Sequence, residues 1–374
     1  MKHFFSMTFM IVIFCQLGFS QNTSQGTGAG NSGEFNSSYG YYAGDKVNDD
    51  FNTFLGAYAG FNSTTTNYNV NLGARSGYST TTGDNNSFVG YRSGYSNTSG
   101  FNNVFVGRDA GFKNVGGDYN TFIGSYAGYT NTANYNTFVG YQTGYLNSSG
   151  DFNTFLGFKA GDANTTASNN TFVGENTGQA VTTGGNNTFV GRRAGYSVTS
   201  GTGNVFLGNS AGAQETGSNR LYIDNSNATS PLIYGNFSSN QLGVNTNNLP
   251  SGYTLAVNGK TITTEVKVDL TTNWPDYVFD KNYSLPSLQE VKVYIAEKGH
   301  LINIPSAEEI SQNNGFHLGE MNAKLLEKIE ELTLYTLQQE EKLKKLEQVQ
   351  VSLDKLLKVN ALLIKRIEKL ESSN

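Results

Sequence analysis

Between residues 36 and 212 the chain repeats one short pattern: Asn, a β-former, Phe, an aliphatic residue, Gly, three variable or small residues, and Gly again. The first Gly of each unit falls at 40, 56, 73, 90, 107, 124, 140, 157, 174, 191 and 208, a spacing of 17 broken by two steps of 16. All eleven have Asn four residues before and Gly four residues after. The residue two before is Phe in nine units, with Ser38 and Asn71 in the others, and the residue just before is Leu, Val or Ile except at Tyr39. Such a unit is too short for a helix pair and suits one coil of a β-solenoid. Asn-Thr-Phe-Val-Gly reads as a short strand, and the two glycines permit turns closed to other residues. Stacked coils lie about 4.8 Å apart, so the head is a rod about 50 Å long. Like positions then form ladders, amide on amide for Asn and ring on ring for Phe.

Neighbouring side chains on a strand point to opposite faces, so Phe and the aliphatic residue after it cannot share one. If the aliphatic residue lines the coil, nine Phe rings face outward, more apolar surface than a soluble monomer tolerates. Strands apolar on both faces are buried on both, which predicts several chains packed around a common axis. The alternative is a monomeric solenoid with Phe inside and the aliphatics outside.

Past residue 213 the period is lost. Arg220-Leu-Tyr-Ile-Asp224, Pro231-Leu-Ile-Tyr-Gly235, Gln241-Leu-Gly-Val-Asn245 and Thr254-Leu-Ala-Val-Asn258 read as short strands of a β neck over 214–270. A small mixed module over 271–317 carries the only Trp, Trp274. Ser287 with Glu290 and Ser306 with Glu309 are capping boxes, predicting helices near 287–298 and 306–312. From 318 to 371 apolar residues recur at 3,4 spacing: Leu325, Ile329, Leu332, then Leu343, Leu346, Val349, Leu353, Leu356, Leu363, Ile367 and Leu370. Polar Thr336, Gln339 and Asn360 interrupt them, and the step 343–346–349 is a stammer. The pattern predicts a coiled coil; one amphipathic helix on a globular body is the plainer reading.

Composition narrows the function. Residues 320–374 hold 10 basic and 10 acidic side chains, whereas 21–260 hold 22 charges in all. The net charge of −5 opposes a nucleic-acid partner. Cys15 is the one cysteine, and His3, His300 and His317 are scattered, so neither a disulfide framework nor a metal site is expected. Residues 1–20 read as a signal peptide: basic Lys2, an apolar run from Phe4 to Phe14, and small Gly18 and Ser20 before a cleavage after Ser20. No second apolar run follows, so an exported chain without an integral membrane anchor is expected, with 21–35 as a flexible N-terminus.

No catalytic constellation emerges, and neither enzyme activity nor a cofactor is expected. Gly208-Asn-Ser-Ala-Gly212 matches the nucleophile elbow, but the same slot reads Gly-Ala-Tyr-Ala-Gly at 56–60, which makes Ser210 a variable repeat position. Those variable slots, one and two residues after each strand-ending Gly, are rich in Tyr and Arg, the types that dominate binding hot spots. Tyr58, Arg75, Tyr91, Arg92, Arg108, Tyr126, Tyr141, Lys159, Arg192 and Arg193 are the candidate ligand contacts. Repeated weak contacts along a rod add through multivalency; otherwise these side chains simply solubilise its edge.

Asn-Thr-Phe-Val-Gly followed by Ala-Gly or Ser-Gly resembles the head repeats of YadA-like trimeric adhesins, over residues 36–213 and with a longer repeat than that family's. The resemblance implies a left-handed parallel β-roll, eleven 16–17-residue repeats intertwined as a homotrimer, and an adhesin-like role on glycan or matrix polymer. Trp274-Pro-Asp-Tyr-Val-Phe279 and Leu318-Gly-Glu-Met-Asn322 resemble the C-terminal region of exported tail-fibre-like proteins of Bacteroidota. The Ser-Asp-x-Arg-Leu-Lys motif of self-cleaving tail fibres is absent, so proteolysis is not implied. No strands for an outer-membrane barrel follow the coil, which leaves release, or retention by a partner, as the expectation. A purely structural fibre is one rival. The other is an ice- or surface-binding solenoid, suggested by the column Thr53, Thr121, Thr137, Thr154, Thr171 and Thr188.

Overall fold

The structure, a computed structural model, describes residues 22–30, 32–269 and 274–372. The signal peptide expected over residues 1–20 lies outside the described residues. The chain divides into two units, 1–261 and 262–374.

The first unit is a parallel β-solenoid. From β1 (Thr23–Gln25) to β12 (Val205–Leu207) each coil contributes one three-residue strand, and the strands pair in register with their sequence neighbours. Thr171, Phe172 and Val173, for example, face Thr188, Phe189 and Val190. The solenoid starts earlier than expected. β1 pairs in parallel with the strand Ser37–Tyr39, and Asn22 accepts from the Asn36 N–H at 2.8 Å. Residues 22–30, expected as part of a flexible lead, carry the same Asn, Gly and Gly landmarks at 22, 26 and 30 and form one more coil.

The Phe column lies inside. All nine rings are fully buried within the single chain, and from Phe88 to Phe206 they stack with centroids 4.6–5.0 Å apart. The aliphatic column turns outward, with Leu55, Leu72, Ile123, Leu156 and Leu207 exposed. This overturns the expectation that neighbouring chains cover the Phe ladder. The coil has room for one ring because the residue three after the strand-ending Gly is Ala, Ser or Thr. The next residue has no Cβ: at Gly144 one would sit 2.5 Å from the Phe138 ring.

The Asn ladder bonds to backbone rather than amide to amide. Asn153 Oδ1 accepts from the Asn170 N–H in the next coil at 3.0 Å, while its Nδ2 donates across its own coil to the Ala167 carbonyl at 2.8 Å. Each Asn thus ties its coil to the neighbour and closes its circumference. Amide-to-amide bonds do occur, in a column missed in the sequence: Asn164 Nδ2 donates to Asn147 Oδ1 at 2.6 Å, and Asn147 Nδ2 to Asn131 Oδ1 at 2.5 Å.

The core has one break. Asn71 replaces Phe between Phe54 and Phe88, and there the apolar core splits into a small cluster around Phe54 and a long one from Phe88 onward. Among the described residues neither amide atom of Asn71 has a hydrogen-bond partner, nor do the buried hydroxyls of Ser63, Thr66, Ser76 and Thr80.

At the other end Tyr222 takes the Phe position, edge-on to Phe206, and its hydroxyl donates to Glu215 at 2.9 Å. It belongs to β13 (Arg220–Ile223), after which pairing turns antiparallel through β14 (Ile233–Asn236) and β15 (Gln241–Val244); β16 (Leu255–Val257) then joins β15 in parallel. These are the four strands expected of the neck.

In the second unit a 3-10 turn, Pro275–Phe279, is followed by α1 (Leu288–Lys298), α2 (Ala307–Gln312) and α3 (Leu318–Glu371). Both expected capping boxes are present. The 54 residues of α3 form one unbroken helix, about 80 Å long at 1.5 Å per residue. Its N-terminal part is held through its own carboxylates. Tyr277 and Tyr283 donate to Glu327 and Glu331 at 2.6 and 2.5 Å, Asn303 donates to Glu327 at 3.1 Å, and Lys328 bridges both. Tyr335 adds a hydrogen bond to the Pro286 carbonyl. The apolar seam, from Leu325, Ile329 and Leu332 to Leu370, is exposed.

Candidate ligand-contact surface

The candidate residues lie in the turn after each strand. The residue two past the strand-ending Gly is left-handed in every coil, with φ of 52–61° from Tyr42 to Ser210. Sequence reasoning treats this slot as loosely constrained, yet it obliges Tyr, Arg, Lys and Asp to adopt a conformation costing L-residues about 1–2 kcal/mol. The side chains of this column follow one edge, Arg75 and Arg193 exposed and most of the others half-buried, while that of Asp109 is fully buried.

Along that edge cations sit on rings. Arg75 lies 6.0 Å from the Tyr58 ring centre, Arg108 5.3 Å from Tyr126, Lys159 5.7 Å from Phe158, and Arg193 4.4 Å from Tyr196. Tyr141 stacks on Phe158 and meets Tyr126 edge-on. Six of the ten candidates, Tyr58, Arg75, Arg92, Arg108, Tyr126 and Tyr141, therefore make ring or cation contacts with a neighbouring turn; Tyr91, Lys159 and Arg193 make theirs within their own turn, and Arg192 pairs with Glu175 at 3.3 Å.

Arg92 serves the fold as well. Its Nε lies 2.7 Å from Asp109, which is fully buried and also bonded by Arg108. That hydrogen bond is the chief cause of the raised guanidinium pKa of Arg92, against the opposing effect of burial. Removing Arg92 would strip a buried carboxylate of its closest cation.

A neighbouring column escaped the sequence reading. Five residues past the strand-ending Gly, Phe61, Tyr78, Tyr95, Phe112, Tyr129 and Tyr145 form a continuous half-buried stack at 5.0–5.2 Å. Arg92 also lies over Phe112, 4.8 Å from its centre. The 17-residue period was the signal that could have found this column. Because stacked rings cover one another's faces, it presents ring edges and hydroxyls outward.

Among the described residues no cluster of His, Cys, Asp or Glu could hold a metal ion. No described helix is long and apolar enough to cross a membrane. What the edge offers chemically is a line of aromatic edges, hydroxyls and cations at the pitch of the coils. Comparison of the chain with protein-family models, curated proteins and solved structures returned no match to any of them.

Proposed function

We propose that the protein is an exported, fibrous, adhesin-like protein whose solenoid binds an extended glycan or matrix polymer along one edge. The observation that carries this reading is the set of cation–ring pairs in the turns after the strands, Arg75 with Tyr58, Arg108 with Tyr126 and Arg193 with Tyr196, where a left-handed position recurs in every coil. A rod repeating a weak contact at a fixed pitch suits a polymer better than a small molecule, since each added contact is intramolecular.

Self-association, as a homotrimer, belongs to the same proposal. The face of α3 clasped by its own unit is built of Glu327, Glu330 and Glu331, while the seam of leucines and isoleucines is left exposed, a division suited to pairing with α3 of further copies. The outward aliphatic column gives the head a second apolar stripe. The test is binding of the full exported chain to arrayed glycans and matrix proteins. Replacing exposed Arg75, Tyr91, Tyr141 and Arg193 together by Ser should abolish binding, with Arg92 kept to protect Asp109. Unchanged binding would end the proposal.

A second reading rests on the Thr column, whose members at 53, 137, 154, 171 and 188 are exposed on the strand face. The column is broken by Val70, Val104 and Val205. Ice-crystal growth in the presence of the protein decides it.

A further inference from the structure

Five residues before each strand-ending Gly lies a second left-handed column, with φ of 55–61° from Phe35 to Asn186. Asn is among the few residues other than Gly that enter this region readily, and Asn stands at 85, 102, 169 and 186. The remaining positions read Phe35, Phe51 and Tyr68, then Tyr119, Tyr135 and Phe152. An aromatic residue there is costly twice, once for its backbone and once for a ring standing 46–58% in solvent. Stacking at 4.9–5.2 Å within each trio offsets part of that cost, about 0.5–1.5 kcal/mol per pair.

The two trios end alike. Tyr68 and Phe152 each stack on the ring before them and are followed by Asn in the next coil, and they are the most exposed rings of the column, at 58% and 56%. Asn85 and Asn169 are exposed, and their amides form no hydrogen bond within the described chain. A ring with one face unstacked beside a free amide fits a pyranose: its C–H face lies on the ring, and its hydroxyls meet a group that both donates and accepts. Asp84 and Asp151 adjoin the two places and accept backbone hydrogen bonds from Asn67 and Asn134, both at 2.7 Å, so an anionic sugar is disfavoured. Five coils separate them, about 24 Å at 4.8 Å per coil, close enough for one chain to engage both.

We propose that Tyr68 with Asn85, and Phe152 with Asn169, are two equivalent stacking sites for one linear neutral polysaccharide. This rests on the polymer-binding reading above but uses different residues.

The experiment is affinity electrophoresis of the full exported chain through gels containing hydroxyethylcellulose, glucomannan or amylose, with heparin and alginate as anionic controls. Wild type should be retarded by at least one neutral polymer. Tyr68→Asn with Phe152→Asn should weaken retardation at least tenfold without lowering the thermal midpoint, because Asn already serves this column elsewhere. Either single change should lose part of the effect, and Tyr68→Phe should keep it. Undiminished retardation of the double variant, retardation by the anionic polymers alone, or no retardation by any neutral polymer overturns the proposal. Loss only in the Arg75, Tyr91, Tyr141, Arg193 variant would keep the polymer-binding reading and remove these two sites.

Discussion

At two positions in each coil the backbone is left-handed within four residues of the same glycine, yet only one of them excludes side chains. At Gly144 a Cβ would press on the Phe138 ring, whereas at Gln142 a half-buried side chain is accommodated. The shared φ thus has two consequences, an obligatory Gly at one position and a tolerated side chain at the other, and the difference is one ring. Asn71 is the converse case, a polar side chain where the ladder wants a ring. Its unpartnered amide and four orphaned hydroxyls nearby carry the desolvation cost of buried polar groups. Asn71→Phe should rejoin the two core clusters and stabilise the first coils by about 1–3 kcal/mol, the cost usual for one unsatisfied buried group. Urea unfolding followed by hydrogen exchange of residues 22–88 checks this, and a loss of protection there would contradict it.

Among elements, the clasp on α3 is the part most open to pH. Burial pushes the Glu327 carboxyl up, but hydrogen bonds from Lys328, Tyr277 and Asn303 outweigh it and hold its pKa below the usual carboxylate value. A depressed carboxylate stabilises above its unfolded pKa, and that contribution is lost as pH falls through the folded value. Tyr277 runs the other way. Its hydrogen bond to Glu327, then burial, raises its pKa to about 12, so its contribution is complete below 10 and lost as pH rises toward 12. Trp274, the only tryptophan, immediately precedes the turn that carries Tyr277. Its fluorescence should hold steady between about pH 5 and 10, and shift once below and once above. A spectrum unchanged at pH 3 would show that the clasp does not depend on Glu327.

Much at this scale was legible in the sequence. The coil period, the neck strands and both capped helices are local patterns, each written within a few residues. Which face of the strand turned inward was not, because alternation only says that Phe and Leu differ; the choice depends on Gly and Ala elsewhere in the coil leaving space for a ring. The buried carboxylates of α3 were hidden for a similar reason, since their partners Tyr277 and Tyr283 lie some fifty residues away. Of the candidate edge, the residue types were legible, but the structural duty of Arg92 toward Asp109 needed the neighbouring coil.

For the whole molecule, the exposed seam and the outward aliphatic column set the expectation for assembly. Sedimentation equilibrium of residues 21–374 should give three copies if the proposed trimer forms. Leu353→Lys with Leu356→Lys should reduce this to one copy if the helix alone holds the assembly. A trimer that survives the helix change and yields only when Leu156→Lys and Val173→Lys are added would assign the head a share. A monomeric wild type would overturn self-association altogether.

The solenoid also has a mechanical meaning. Its strand-to-strand hydrogen bonds, such as Thr171 N–H to the Asn187 carbonyl at 2.8 Å, join one coil to the next along the stacking direction. A load that pulls the ends apart therefore peels the outermost coil instead of shearing many bonds at once. Each coil that yields exchanges a rise of about 4.8 Å for seventeen residues of slack, on the order of 55–60 Å. Held at both ends under flow, such a rod would lengthen step by step, dissipating the pull while the coils still folded kept their grip.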